Sequence, residues 1–247
     1  MAVDRRTALV TGSNKNIGRA CALHLAKAGC NVVVNGSRDR EAAERTASDA
    51  RALGVEALVV MGDVGRREDA FRIGGESLAR FGTVDILVNN AALRKDGNFL
   101  EMSEDDWRYA MSVNFDAAYW LARQCLPGMV AKGWGRIVNF AGMNAIHGYN
   151  GRAHVSASKH AAWGLTKALA KEFGPKGITT NIVSPGPIMG EAQEAAQAAH
   201  IAPMKARVPL GRLGTPDEVA AAVALLASDA GGFINGQMIQ VNGGAET

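Results

Sequence analysis

Cysteine is scarce in this 247-residue chain. The three present, Cys21, Cys30 and Cys125, are odd in number and lack metal-ligand spacing. That argues against a disulfide framework and a metal centre, and for reduced, mostly buried thiols. An excess of charge is also missing: 27 Lys and Arg against 24 Asp and Glu leave a net +3. The basic residues form no cluster of the kind nucleic-acid binding requires. No apolar run is long enough to span a bilayer, and no signal-peptide pattern precedes the strand-like run Thr7-Ala8-Leu9-Val10-Thr11. The expectation is a soluble cytoplasmic protein without a membrane or nucleic-acid partner. Repeats, low-complexity segments and linkers are absent as well.

What is there is a regular alternation. The 47% hydrophobic content suffices for one sizeable core, and a single domain over 1–247 is expected. Short β-branched runs occur at Ala8–Thr11, Asn31–Asn35, Glu56–Val60, Asp85–Asn89, Arg136–Phe140, Thr179–Val183 and Met238–Val241. Segments of helical spacing separate them. This pattern predicts an α/β fold: a parallel sheet with helices on both faces. The connection from Pro185 to Pro209 has no clear strand and is rich in Ala, Met and Pro, which suits a substrate lid at about 186–209.

The first strand-like run leads into Thr11-Gly12-Ser13-Asn14-Lys15-Asn16-Ile17-Gly18 and then a helix. Glycines in such a turn let the backbone approach a pyrophosphate, whose charge the helix N-terminus favours. The second run ends Asn35-Gly36-Ser37-Arg38. An acidic residue there would hold a free ribose 2′-hydroxyl. None occurs before Asp39, whereas Arg38 can form paired hydrogen bonds to a 2′-phosphate. NADP is therefore favoured over NAD.

The stretch from Gly142 to Lys159 follows the fifth strand-like run and opens an alanine-rich helix. It resembles the active-site segment of the short-chain dehydrogenase/reductase family, and nearly the whole chain shares that resemblance. The resemblance implies a Rossmann-type, doubly wound parallel sheet of seven strands in the order 3-2-1-4-5-6-7, and a homotetramer or homodimer. It implies a cofactor site made by Gly12, Asn14, Lys15, Asn16, Ile17 and Gly18, by Ser37 and Arg38, and by Asp63 and Val64 after the third strand. Asn16 stands where the family has Gly, and Asn tolerates unusual backbone angles. Asp63 would meet the adenine, or else cap the helix starting near Arg66. Asn90, in Asn89-Asn90-Ala91-Ala92, would support the sheet beside the cofactor. Pro185, Gly186 and Ile188 would lie against the nicotinamide. Asn114 would bend its helix and reach Lys159 through a water. Lys159 itself would grip the nicotinamide ribose. The alanine-rich helix Ala157–Glu172 and the last strand would form the contacts between subunits.

Two absences decide the chemistry. The family carries Tyr four residues before its Lys and Ser thirteen residues before that Tyr; here Val155 and Gly142 stand in those places. Gly190 likewise replaces a Thr that contacts the carboxamide. A missing general acid costs about 10²–10⁴-fold and a missing oxyanion donor about 10²–10³-fold. His154 and Ser158 point elsewhere on the helix, since neighbours lie about 100° apart. Tyr149 and His147, in the preceding loop, are candidates for the acid, as is a desolvated Lys159. Arg94 and Lys95 read as surface charge, and Met143 and Met189 as adaptable pocket wall. Three readings stay open: an NADP(H)-dependent oxidoreductase on a small carbonyl or alcohol substrate with non-standard acid–base groups, a redox-neutral lyase, isomerase or hydrolase on the same scaffold, or a non-catalytic NADP-binding protein.

Overall fold

A computed structural model describes residues 5–190 and 198–246. Seven strands form one sheet: β1 (Thr7–Val10), β2 (Asn31–Gly36), β3 (Ala57–Met61), β4 (Ile86–Asn89), β5 (Gly135–Phe140), β6 (Ile178–Pro185) and β7 (Met238–Val241). Their order is β3-β2-β1-β4-β5-β6-β7, and every pairing is parallel. This is the doubly wound sheet expected. The reversal of winding at β1 and β4 opens a crevice at the carboxyl ends of the strands.

The central strands β1, β2, β4, β5 and β6 are almost wholly buried because both faces of the sheet are covered. On one face Ala8, Val10, Val32, Val34 and Val88 pack against α1 (Asn16–Lys27), α2 (Arg40–Ala52) and α9 (Pro216–Ala227). On the other, Leu9, Val33, Leu87 and Ile137 pack against α3 (Arg67–Phe81) and α5 (Ala117–Lys132). The alternation of Leu9 with Ala8 and Val10 follows the two-residue period of a strand. Burying each Leu, Ile or Val contributes about 1.5–3 kcal/mol. Cys21, Cys30 and Cys125 are free and buried, and desolvation raises their thiols to about 12, 11 and 12.

Local chemistry sets the helix ends. Asp39 caps α2 by accepting from the Ala42 N–H, and Thr215 with Glu218 forms a capping box before Pro216 at the start of α9. Between α4 (Glu104–Met111) and α5 lies a π turn, Ser112–Asp116, that carries Asn114. The sequence reads as a continuous helix there, but the extra residue shifts the helical face at this point. A short helix, α6 (Met143–His147), follows β5, so His147 ends a helix rather than lying in a loop. The long α7 (Ala153–Phe173) carries Lys159.

A buried chain of hydrogen bonds joins α7 to the middle of the sheet. Asn89 Nδ2 donates to Asn139 Oδ1, and Asn139 Nδ2 donates to Thr166 Oγ1, both at 2.9 Å. Thr166 lies two turns beyond Lys159 on the buried face that also holds Val155, Ser158 and Ala162. The network therefore sets the rotation of α7 and aims Lys159 at the end of β5. The segment read as a lid contains α8 (Ala198–Ala206); its residues 191–197 lie outside the described residues.

Candidate active site

The turn after β1 is built for close approach. A side chain at Gly18 would put its Cβ 2.2 Å from the Gly12 carbonyl oxygen and 2.5 Å from Asn90 Nδ2. Asn90 Nδ2 donates to the carbonyls of Thr11 and Gly12. Asn16 has φ 49°, the one positive value outside glycine among the described residues. Asn is among the few residues that adopt this conformation at low cost. Asn35, which the sequence reading did not single out, accepts from the Gly12 N–H and donates to the carbonyls of Val60 and Gly62. Its signal was available: a buried Asn in an otherwise apolar strand must find partners. Helix α1 starts after Lys15 with no side-chain cap, and Ile17 is buried beneath the turn. A Cβ-free cradle facing an uncapped helix N-terminus fits the pyrophosphate of a dinucleotide.

Around this cradle, Lys15, Ser37 and Arg38 are exposed, and Asn14 lies against Gly36. Asp39 is committed to capping α2, which leaves no free acidic side chain at the end of β2. Asp63 does not cap α3, whose N-cap is Arg66. Its Oδ1 accepts from the Gly65 N–H at 2.9 Å and its Oδ2 from the Tyr109 hydroxyl at 2.8 Å, while Val64 is buried beside it. Tyr109 comes from α4, a proximity with no trace in the sequence. Pro185 is the last residue of β6, Gly186 donates to the Val241 carbonyl, and Ile188 bridges to Gly214. A Cβ at Gly190 would lie 3.1 Å from Asn16 Oδ1, so the chain after β6 closes over the first turn.

Lys159 is 3% exposed, and its Nζ donates to the carbonyl oxygen of Phe140 at 2.7 Å. Burial, with a smaller contribution from the positive charge of Arg94, lowers its pKa from 10.5 to about 7. Val155, one helical turn earlier, is 4% exposed and presents only methyl groups. Gly142 has φ 161°, extended backbone open to any residue, and a Cβ there would meet nothing within 4 Å. A serine side chain at position 142 would therefore enter open space.

Asn114 is fully engaged. Its Oδ1 accepts from the Leu93 N–H at 2.8 Å, and its Nδ2 donates to the Leu93 carbonyl and to Ser158 Oγ, both at 3.1 Å. Ser158 in turn donates to the Val155 carbonyl, so its proton is already placed. His147 is half-exposed with Nε2 3.8 Å from a Glu246 carboxylate oxygen. Tyr149 is 45% exposed, and its ring lies under the Arg152 guanidinium. Neither hydrogen-bonds Lys159. His154 points away from the cleft into a separate cavity of about 170 Å³, lined by Lys95, Asp96, Asp106 and Met102.

Arg94 is exposed, in keeping with its reading as surface charge. Its side chain is reached by solvent, yet desolvation leads the causes that lower its pKa, followed by repulsion from Arg152. Lys95 is an ordinary surface cation paired with Asp106 at 2.9 Å. Chemically, the cleft joins a dinucleotide cradle to a buried amine that titrates near neutrality and a guanidinium beside it.

A family model described as enoyl-(acyl carrier protein) reductase matches residues 12–246. The chain is 36% identical over 239 residues to the 3-oxoacyl-(acyl-carrier-protein) reductase FabG of Staphylococcus epidermidis, covering 97% of this chain and 98% of that one. It is 37% identical over 240 residues to the acetoacetyl-CoA reductase of Allochromatium vinosum, with 97% and 98% covered. Among solved structures it is similar to the acetoin dehydrogenase YohF of Salmonella typhimurium, with a TM-score of 0.90, 32% identity, and 97% and 95% covered.

Proposed function

The chain belongs to the short-chain dehydrogenase/reductase family of nicotinamide-dependent oxidoreductases, and from that membership we propose that it transfers hydride between NADP(H) and a small carbonyl or alcohol compound, with Lys159 moving the proton in place of the absent tyrosine. The observation that carries this reading is the Lys159 amine itself. It is buried at the end of β5, held by Phe140 O, and lowered to about 7 by burial and by Arg94. A general acid–base group works best with a pKa near the working pH. The other candidates are committed elsewhere: His147 faces Glu246, Tyr149 stacks on Arg152, and Ser158 donates to Val155 O.

The supporting parts have separate tasks. The turn from Gly12 to Gly18, with the N-terminus of α1, holds the pyrophosphate. Arg38 and Lys15 take the 2′-phosphate, since Asp39 caps α2 and does not compete. Below pH 7 protonated Lys159 donates to the developing alkoxide; above it, the neutral amine accepts the alcohol proton. Val155 excludes water from the amine but polarises nothing, so turnover is slower than with the usual hydroxyl pair.

One observation supports a redox-neutral alternative. With nothing within 4 Å of a Cβ at Gly142, the site lacks a donor for a carbonyl oxygen, while the neutral amine is a competent base. The test is titration of NADPH and NADH into the wild type and Gly142→Ser/Val155→Tyr, then assay of both proteins against ketones and alcohols. Consumption of NADPH by the wild type, lost in Lys159→Met, supports the proposal. Turnover at constant NADPH absorbance gives the redox-neutral reading. If only the double variant consumes NADPH, the native protein is a cofactor-binding protein.

A further inference from the structure

The charges around the cleft do not balance, and the imbalance has one address. The loop between β4 and α4 meets the loop between α6 and α7 through a Gly97 N–H to Gly151 carbonyl bond at 2.8 Å. Four cations lie along this junction: Arg94, Lys95, Arg152 and Lys159. Arg152 is paired with Asp96 and also stacks on Tyr149. Lys95 is paired with Asp106. Lys159 is held by a neutral carbonyl. Arg94 has no hydrogen bond and no carboxylate partner among the described residues.

The position of Arg94 is not incidental. Asn114 clamps both backbone groups of Leu93 and also holds Ser158 Oγ. Leu93 precedes Arg94, and Ser158 precedes Lys159. One side chain therefore ties the two cation-bearing backbones together, and Arg94 and Lys159 lie close enough to repel each other. A guanidinium held near a like charge without a counterion is repelled by it in the free protein. Such an arrangement is relieved when an anion enters between them. A guanidinium fork matches a planar carboxylate with two parallel hydrogen bonds.

We propose that Arg94 is a specificity-determining residue that binds a free carboxylate on the substrate, so that the compound taken is a small oxo or hydroxy acid rather than its ester, amide or thioester. The inference rests on the reading of the Lys159 cleft as the reacting site. Bound there, the carboxylate would place a nearby carbonyl or hydroxyl toward Lys159 and Gly142. Arg94 acts by binding and orienting; it moves no proton.

Two measurements separate this inference from the proposed activity. The first is calorimetric titration of the full chain, with NADP+ present, using malonate, malonamide and inorganic phosphate. Malonate should bind, malonamide should not, and Arg94→Ala should weaken malonate at least about 20-fold, with Arg94→Lys intermediate. Arg45→Ala, on the exposed side of α2, is the control for lost surface charge. Malonate binding that is absent or indifferent to Arg94, or phosphate binding more tightly than malonate, overturns the proposal. The second is steady-state turnover of short-chain 2- and 3-oxo acids against their methyl esters. The acid-to-ester ratio of kcat/KM should exceed about tenfold and collapse in Arg94→Ala, with most of the change in KM. A ratio near one with active enzyme refutes the carboxylate and leaves the oxidoreductase standing. Arg94-dependent malonate binding without NADPH consumption does the reverse.

Discussion

Lys159 Nζ donates to the carbonyl oxygen of Phe140 at 2.7 Å, where β5 gives way to the cleft. The bond fixes the amine at the end of β5, just before Gly142 in the chain and one helical turn after Val155. The acceptor is a neutral carbonyl, so it orients the ammonium without neutralising it. The charge stays exposed to the full effect of burial and of Arg94, and the consequences can be measured.

Carbonyl reduction should fall as pH rises through about 7, because the donor is the protonated amine, and alcohol oxidation should rise over the same interval. Profiles of kcat/KM against pH for both directions check this. Arg94→Ala removes the like charge and should move the inflection upward. An inflection that does not respond to Arg94 would place the titrating group elsewhere.

The same displacement is a stability term. Unfolded Lys159 binds its proton below about 10.5 and the folded chain only below about 7, so the burial penalty is absent above the first value and complete below the second. At about 1.4 kcal/mol per unit it approaches about 5 kcal/mol as an upper limit. Lys159→Met should therefore raise the melting temperature, by a larger margin at pH 6 than at pH 10.5. Losing the bond to Phe140 O offsets about 1 kcal/mol of the gain. Thermal unfolding across pH measures the difference.

Gly142→Ser should change stability by less than about 0.5 kcal/mol, since its Cβ enters open space from extended backbone. Val155→Tyr replaces a side chain 4% exposed and should cost about 1–3 kcal/mol through overpacking. Denaturant unfolding of the single variants separates them. The double variant should gain at least about tenfold in NADPH-dependent ketone reduction, because the hydroxyls return proton donation and carbonyl polarisation.

Arg38→Glu should weaken NADPH binding about 10–100-fold, through loss of charge-assisted hydrogen bonds to the 2′-phosphate, and leave NADH binding equal or improved. Fluorescence titration with both nucleotides reads the change. An unchanged NADPH affinity would move the 2′-phosphate away from the end of β2.

The sequence alone determined seven strands in a parallel sheet, because β-branched runs alternate with helical segments from end to end, and the family resemblance implied their order. It also placed Asn, a residue tolerant of unusual backbone angles, at position 16 and left Gly142 and Val155 without hydroxyls, because these are properties of single positions. Only the tertiary structure decided which cations keep their charge unpaired. Asp39, Asp96 and Asp106 are equally acidic in the sequence, and folding assigns them to a helix cap, to Arg152 and to Lys95. Arg94 has no such partner among the described residues, and Asn114 ties the backbone of its neighbour Leu93 to Ser158, the neighbour of Lys159. Pairing and desolvation depend on distances between residues remote in sequence, so the pKa of Lys159 and the charge of its cleft are properties of the fold.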